Sequence, residues 1–283
     1  MGLLITGAAS GIGRHLVGAF ARGADARRVI ATDLSHARLT EVAAADGWPA
    51  TVELAALDVC DPQAWQVVWD AAEARGPIDV VMNVAGFLAP DWIEHARDAD
   101  IDRHIDVNVK GVVYGTRCAA RAMIARRSAG SASAGVSGHI INVGSLASLS
   151  PVPGLSLYAA SKFAVRGFSL SVALALANKG VAVTVVMPDA VQTPMLDIQK
   201  PRAEAALTFS GGKVLTPHDI ELAMREVLRT RPLELAIPTS RGVLARVASA
   251  MPGLGQRLLP LMRALGRKRQ ARHEGQARHE RPT

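Results

Sequence analysis

The chain has few of the residues that usually advertise a specialised site: two cysteines, two tyrosines and 4% aromatic residues in 283. Cys60 and Cys118 stand far apart, outside any C-x-x-C or Cys/His spacing, so neither a disulfide framework nor a metal site is expected. Long apolar runs are also missing. Stretches such as 181–187 (VAVTVVM) fall well short of the roughly 18 residues that mark a membrane span. No segment has the form of a signal peptide, and the expectation is a cytoplasmic protein. The opening MGLLIT satisfies the M-G-x-x-x-[ST] myristoylation pattern, but reads better as a buried strand running into a glycine turn. Acidic residues are absent from 241 to 273, so that residues 241–283 carry net +8 against −1 for residues 1–240. This basic stretch has no interleaved aromatics, which argues against nucleic-acid binding.

Apolar residues are plentiful, at 49% of the chain. Short β-branched runs at 2–6, 28–33, 51–58, 78–84, 138–144, 181–187 and 233–238 alternate with helical spacing at 11–23, 62–75, 106–127, 158–178 and 217–230. Strands that are apolar throughout and alternate with helices imply a parallel sheet covered on both faces, a doubly wound α/β fold. Thr216 and Pro217 suit the cap and first position of a helix. The low-complexity stretch 128–138 reads as a surface loop. One α/β domain over 1–240 with a helical basic extension over 241–283 is the expected organisation.

The first strand empties into TGAASGIG (6–13), where glycines allow a tight turn and let a helix N-terminus face a pyrophosphate. The second ends at Asp33, 26 residues after Gly7. A carboxylate there accepts hydrogen bonds from ribose hydroxyls and repels a 2′-phosphate, favouring NAD over NADP. The alternative for Asp33 is a helix cap, a role open to Ser35 as well.

Further motifs follow in order: Asp58-Val59, Asn83-Val84-Ala85-Gly86, Asn108-Val109, Ser145, and Tyr158-x-x-x-Lys162, with Ser145 thirteen residues before Tyr158. With the glycine turn they make the chain resemble the short-chain dehydrogenase/reductase family in its shorter form, on a Rossmann fold, from Gly2 to about Pro238. The resemblance implies Asn108, Ser145, Tyr158 and Lys162 as the catalytic set. It implies contacts to the dinucleotide from Thr6, Gly7, Ser10, Gly11, Ile12, Gly13, Asp33, Asp58, Val59, Asn83, Ala85, Gly86, Tyr158, Lys162, Pro188, Val191 and Thr193. Tyr158 would be the acid/base, and because a phenol near pKa 10 is too weak an acid near neutrality, Lys162 one helical turn on, with the positive nicotinamide ring nearby, would lower its pKa and also hold the nicotinamide ribose. Ser145 would stabilise charge on the substrate oxygen, and Asn108 would support a water relay. Asp189 stands where the family has glycine; if the backbone there needs a positive φ, aspartate can adopt it at modest cost.

Segments expected around the substrate are apolar (Phe87, Leu88, Trp92, Leu146, Leu149, Val152, Leu155, Val191, Met195, Leu196, Leu207, Phe209), pointing to a lipophilic alcohol or ketone. A cofactor-sensing regulator, or an isomerase or lyase, would be the rival functions. The tail reads as a helix packed on the body with a disordered basic end, or else as a segment that makes a weak contact with an anionic membrane or closes over the substrate entrance. The resemblance also implies a homodimer or homotetramer, paired through the helices of Asn108 and Tyr158.

Overall fold

The computed structural model describes residues 1–26, 28–130 and 137–279. Seven strands, β1 (Gly2–Thr6), β2 (Arg28–Asp33), β3 (Val52–Ala56), β4 (Val80–Asn83), β5 (Gly138–Val143), β6 (Val181–Pro188) and β7 (Glu234–Ile237), form one parallel sheet in the order β3-β2-β1-β4-β5-β6-β7. The chain winds outward from β1 in one direction, then returns to build the other half from β4. This reversal leaves a crevice beyond the strand ends, where such sheets bind ligands. Thr6 pins it: its Oγ1 accepts the N–H groups of Val84 and Ala85, both at 3.0 Å.

Alternate residues of each strand face opposite sides of a sheet, and two cores result. Leu3 and Ile5 of β1 pack with Leu16 and Phe20 of α1 (Gly11–Arg22), Leu39 of α2 (His36–Ala45) and Met224 of α8 (Pro217–Thr230). Leu4 packs on the other side with Trp65 and Trp69 of α3 (Pro62–Glu73), Met123 of α5 (Gly111–Ser128) and Ala173 of α6 (Ser156–Leu176). The segment Ser156–Lys179, which includes α6, is long and apolar enough to cross a bilayer by length and composition alone; in the fold α6 buries Lys162, Val165 and Ser169 against the sheet.

Helix starts follow local chemistry. Thr216 and Asp219 form a reciprocal capping box with Pro217 in the first turn, as the sequence suggests. Ser35, not Asp33, caps α2, its Oγ accepting Arg38 N–H at 3.2 Å. The expected helix 106–127 is longer and less regular: α4 (Asp98–Ile105) runs through a π-helical turn at Asp106–Lys110 into α5. Strands expected at 51–58 and 78–84 are shorter, at Val52–Ala56 and Val80–Asn83. Most of the expected 128–138 loop, residues 131–136, lies outside the described residues.

Beyond β7 the extension forms α9 (Thr239–Ala250) and α10 (Pro252–His279), after the short α7 (Pro194–Asp197) and a 3-10 segment at Ala203–Ser210 earlier in the chain. Here α10 is helical through His279, and the part of the expected disordered end at 280–283 lies outside the described residues. It is fastened to the body. Gln270 Nε2 donates to the carbonyls of Gln199, Lys200 and Arg202 at 3.0, 2.8 and 2.8 Å, and Arg269 donates to those of Ser210 and Gly211. Gly266 lies so close to the 3-10 segment that any side chain would overlap the Ala206 carbonyl.

Candidate active site

The strand ends at the reversal open into one cleft of about 1050 Å³. Along one half run Gly7, Ser10, Gly11, Ile12, Gly13, Asp33, Asp58, Val59, Ala85 and Gly86; along the other, Ser145, Tyr158, Lys162, Pro188, Val191 and Thr193. Residues scattered over nearly two hundred positions of sequence therefore share one wall.

Local geometry explains the glycines. Gly7 has φ +70°, and a Cβ on it would lie 2.9 Å from Ala85 Cα. A Cβ on Gly13 would overlap the Gly7 carbonyl, so α1 can sit against the turn only without a side chain there. Ser10 precedes α1 in extended conformation and its side chain makes no cap bond, so the first-turn N–H groups face the cleft as donors for an anion. This cradle fits a dinucleotide pyrophosphate. Gly13→Ala is expected to lose roughly 1–3 kcal/mol of stability by overpacking and to weaken dinucleotide binding; a melt and a titration indistinguishable from wild type would refute the tight approach.

Asp33 ends β2 with its carboxylate held by Ala9 N–H at 2.9 Å and Leu34 N–H at 2.8 Å. The backbone thus aims it into the cleft rather than along a helix. Asp58 is exposed at the cleft, its Oδ1 accepting Cys60 N–H at 2.9 Å. Thr193 closes the same half, its Cγ2 3.3 Å from where a Gly11 Cβ would stand.

Three expected site residues do not line the cleft. Thr6 is buried at the crevice floor as the clamp described above. Asn83 is 3% exposed and donates to Asn142 Oδ1 at 2.8 Å, and Asn142 donates to Ser169 Oγ of α6 at 2.9 Å. It braces the wall from behind and does not line the cleft. Asn108, in the π-helical turn, is fully buried: its Oδ1 accepts Phe87 N–H at 2.7 Å, and its Nδ2 donates to Phe87 O and Ser161 Oγ, each at 2.9 Å. Ser161 Oγ donates to Tyr158 O at 2.7 Å. Asn108 therefore fixes the loop after β4 to the helix of Tyr158, and is a positioning residue.

The chemical centre is crowded and apolar. Lys162 Nζ donates to Val143 O at 2.9 Å and lies 5.6 Å from the Tyr158 ring centre. Burial pushes the Lys162 ammonium down to about 8. Burial also pushes the Tyr158 phenol up to about 12, with the hydrogen bond to Ser145 acting against it. In the chain by itself the Lys162 ammonium is engaged by a backbone carbonyl, and loss of solvent sets the direction of the Tyr158 shift.

Asp189 departs from expectation too. Among the described residues only Arg231 combines a side chain with positive φ, so Asp189 needs no strained backbone. Its carboxylate pairs with Arg241 of α9 at 2.5 Å and fastens the extension to the end of β6. Burial raises the Asp189 pKa and Arg241 lowers it. A raised carboxyl pKa means that the ionised form costs stability above that pKa, and acid relieves the cost. Arg241→Ala is expected to destabilise by roughly 1–3 kcal/mol at pH 7.5, and the deficit shrinks as pH falls through the raised pKa. Denaturant midpoints at pH 7.5 and 5 would check this; a deficit that grows on acidification would overturn it.

The substrate half of the cleft is lined by Leu88, Leu146, Val152, Leu155, Met195, Leu196 and Leu207 as expected, but not by Phe87, Trp92, Leu149 or Phe209. Phe87 lies against His104 and Arg103, Trp92 under Arg263, and Leu149 and Phe209 are buried. The tail also reaches the cleft, as one of its sequence alternatives allowed, and α9 and α10 supply an outer wall of Leu244, Val247, Leu258, Leu259 and Met262, none of which the sequence singles out. Their helical spacing was visible, but nothing local says which body surface a terminal helix covers.

Away from the cleft, Glu221 of α8 gathers His15, His218 and Arg225 at 2.9, 3.1 and 2.9 Å. The ligand atoms of His15, His218 and Glu221 lie within 4.8 Å of one another, a grouping the sequence reading did not foresee. With Arg225 on the carboxylate it joins α1 to α8 as an ion-pair knot.

Comparison with known proteins agrees with this geometry. The short chain dehydrogenase family profile matches residues 2–203. The 3-oxoacyl-[acyl-carrier-protein] reductase FabG of Thermotoga maritima is 34% identical over 221 residues, 77% of this chain and 85% of the relative. Oxidoreductase UcpA of Escherichia coli is 32% identical over 248 residues, 86% of this chain and 84% of the relative. Among solved structures, the 3-ketoacyl-(acyl-carrier-protein) reductase of Brucella melitensis complexed with NADH matches with TM-score 0.70 and 25% identity, covering 83% of this chain and 96% of that one. A closed serine dehydrogenase complexed with NADP+ matches with TM-score 0.69 and 31% identity, covering 83% and 94%. The chain is an NAD(P)-dependent oxidoreductase fold of seven parallel strands and belongs to the short-chain dehydrogenase family.

Proposed function

We propose that the protein interconverts a lipophilic secondary alcohol and its ketone, with Tyr158 as acid/base and NAD preferred over NADP. The observation that carries this reading is the cleft itself: Ser145, Tyr158 and Lys162 stand at the junction between a glycine-lined half and an apolar half. Apolar burial supplies most of the binding in such a chamber, while a few polar groups orient the ligand.

The dinucleotide would lie along Gly7–Gly13, Asp33, Asp58 and Ala85–Gly86, with Pro188, Val191 and Thr193 closing over its far end. When bound, a nicotinamide supplies the hydride acceptor or donor and, oxidised, a positive charge near the phenol. Ser145 donates a hydrogen bond to the substrate oxygen and stabilises charge that develops there. Tyr158 Oη takes the hydroxyl proton from an alcohol or returns one to a ketone. Lys162 holds its ammonium between the Val143 carbonyl and the Gly86 backbone, in reach of a ribose hydroxyl. Asn108 keeps the loop carrying Gly86 and the helix carrying Tyr158 in register.

Asp33 supports the choice of NAD, because its carboxylate is fixed by two backbone N–H groups where a 2′-phosphate would meet like charge. Calorimetric titration should show NADH binding about tenfold or more tighter than NADPH, a difference of about 1.4 kcal/mol or greater, and Asp33→Ala should erase it. Equal affinities in the wild type would overturn the coenzyme assignment and leave the catalytic reading intact. Turnover of small polyols faster than of lipophilic alcohols would overturn the substrate class. A homo-oligomer paired through α6 and the helix that runs from α4 through the π-helical turn of Asn108 into α5 is supported by exposed Ile101 and Ile105 of α4 and Phe163 and Leu174 of α6; light scattering that finds only monomer would remove it.

A further inference from the structure

The mouth of the substrate chamber is apolar on both sides of its rim. Leu244 and Val247 of α9 and Leu258 and Met262 of α10 line the cleft and are exposed to solvent, Leu244 by 59%. Leu258, Leu261, Met262 and Leu265 follow the i, i+3, i+4, i+7 spacing that puts side chains on one helix face. All four are exposed, Leu261 by 69%. Gly266 and Gln270, roughly a quarter to a third of a turn from Leu258 at about 100° per residue, and Arg269 beside them hold α10 to the body. The apolar stripe therefore has no cover among the described residues.

Charge flanks this stripe. Arg257 and Lys268 lie about a quarter turn from Leu258 at roughly 100° per residue, and with Arg267 and Arg272 they are exposed and form no ion pair among the described residues. No acid occurs between 241 and 273 to offset them. An exposed apolar stripe flanked by unpaired cations suits the boundary between headgroups and acyl chains of an anionic bilayer, where long basic side chains reach the phosphates while the apolar ones enter the tails.

We infer that α9 and α10 dock the enzyme on anionic lipid surfaces with the chamber mouth against the lipid, so that a bilayer-dissolved alcohol or ketone passes from the acyl region to Ser145 and Tyr158 without crossing water. The docking stands on the surface alone; the transfer of substrate rests on the proposed function above.

Cosedimentation of the full chain with vesicles tests it, using phosphatidylcholine alone and phosphatidylcholine with 30% phosphatidylserine as a rough physiological mimic. The bound fraction should rise at least about fivefold with the anionic lipid and fall with salt. Leu261→Glu with Leu265→Glu, and separately Arg257→Glu with Lys268→Glu, should each reduce binding about tenfold. None of these four lines the cleft, so turnover of a short water-soluble alcohol should be unchanged and reports correct folding. Absence of sedimentation with either vesicle overturns the inference, as does equal binding to both. So does a dimer by light scattering that the Leu261→Glu, Leu265→Glu variant dissociates while vesicle binding stays at background, because the face would then belong to a second copy. Anionic-lipid binding in a protein that oxidises no lipophilic alcohol upholds the docking and removes the substrate class instead.

Discussion

Replacing Tyr158 by phenylalanine is expected to lower kcat about 100- to 10,000-fold, the usual contribution of a positioned acid/base, with dinucleotide affinity close to wild type. The ring is half-buried against the Leu88, Leu155 and Ala205 cluster, and phenylalanine keeps that packing. Only Oη and its bond to Ser145 are lost, so stability should change by no more than about 1 kcal/mol. The pH profile separates lost proton transfer from disturbed structure. With the phenol held near 12, its basic form is scarce at neutrality and grows about tenfold per pH unit. Wild-type alcohol oxidation should therefore climb with pH through the neutral range, and the residual rate of Tyr158→Phe should lack that slope. A variant that keeps the slope would remove Tyr158 from the proton step.

Lys162→Met should remove most activity, about 100-fold or more, while making the protein harder to unfold at pH 7. The ammonium is 3% exposed, and burial brings its pKa from 10.5 down to about 8. Between those values an unfolded chain holds a proton that the folded chain has released, so stability rises with pH across that window. Below it the full burial cost applies, worth about 3 kcal/mol at roughly 1.4 kcal/mol per unit. Methionine removes this cost, offset by about 1 kcal/mol for the Val143 carbonyl that loses its donor. The expected net gain is about 2 kcal/mol at pH 7, diminishing by pH 9.5, just below the range where Tyr158 starts to act in the opposite direction. Denaturant midpoints at the two pH values measure it. A variant less stable than wild type at pH 7 would mean that Lys162 is held by more than one carbonyl.

These effects show what a sequence can and cannot convey. The sheet was legible because buried parallel strands write themselves as continuous apolar runs, and because Pro217 after Thr216 marks a helix start without outside help. Most of the dinucleotide half was legible for a similar reason: Gly7 takes a positive φ and Gly13 lies against the Gly7 carbonyl, both within one turn. The failures share a physical origin in contacts between distant segments. Asn83 and Asn108 carry the expected residue types, but whether an amide faces a ligand or a loop depends on Asn142, Ser161 and Phe87, which tertiary packing brings to them. The Tyr158 pKa depends on how much water the surrounding chain removes, which no spacing expresses. Asp189 was conspicuous as a departure, and its partner Arg241 lay 52 residues away. The outer wall from α9 and α10 was least legible, since amphipathic spacing declares a face and leaves its destination open.

The fastening of that wall has an evolutionary consequence. The terminal helices join the body through side chains that grip main-chain carbonyls, as Gln270 and Arg269 do, together with the Asp189–Arg241 and Glu234–Arg246 pairs. Main-chain carbonyls persist when the residues that bear them change, so the receiving surface tolerates substitution. The residues that α9 and α10 turn toward the cleft can then change while Ser145, Tyr158 and Lys162, placed by β5 and α6, keep their positions. On the proposed reading of the cleft, mutations confined to the last forty residues or so are expected to shift the substrate range without moving the catalytic groups.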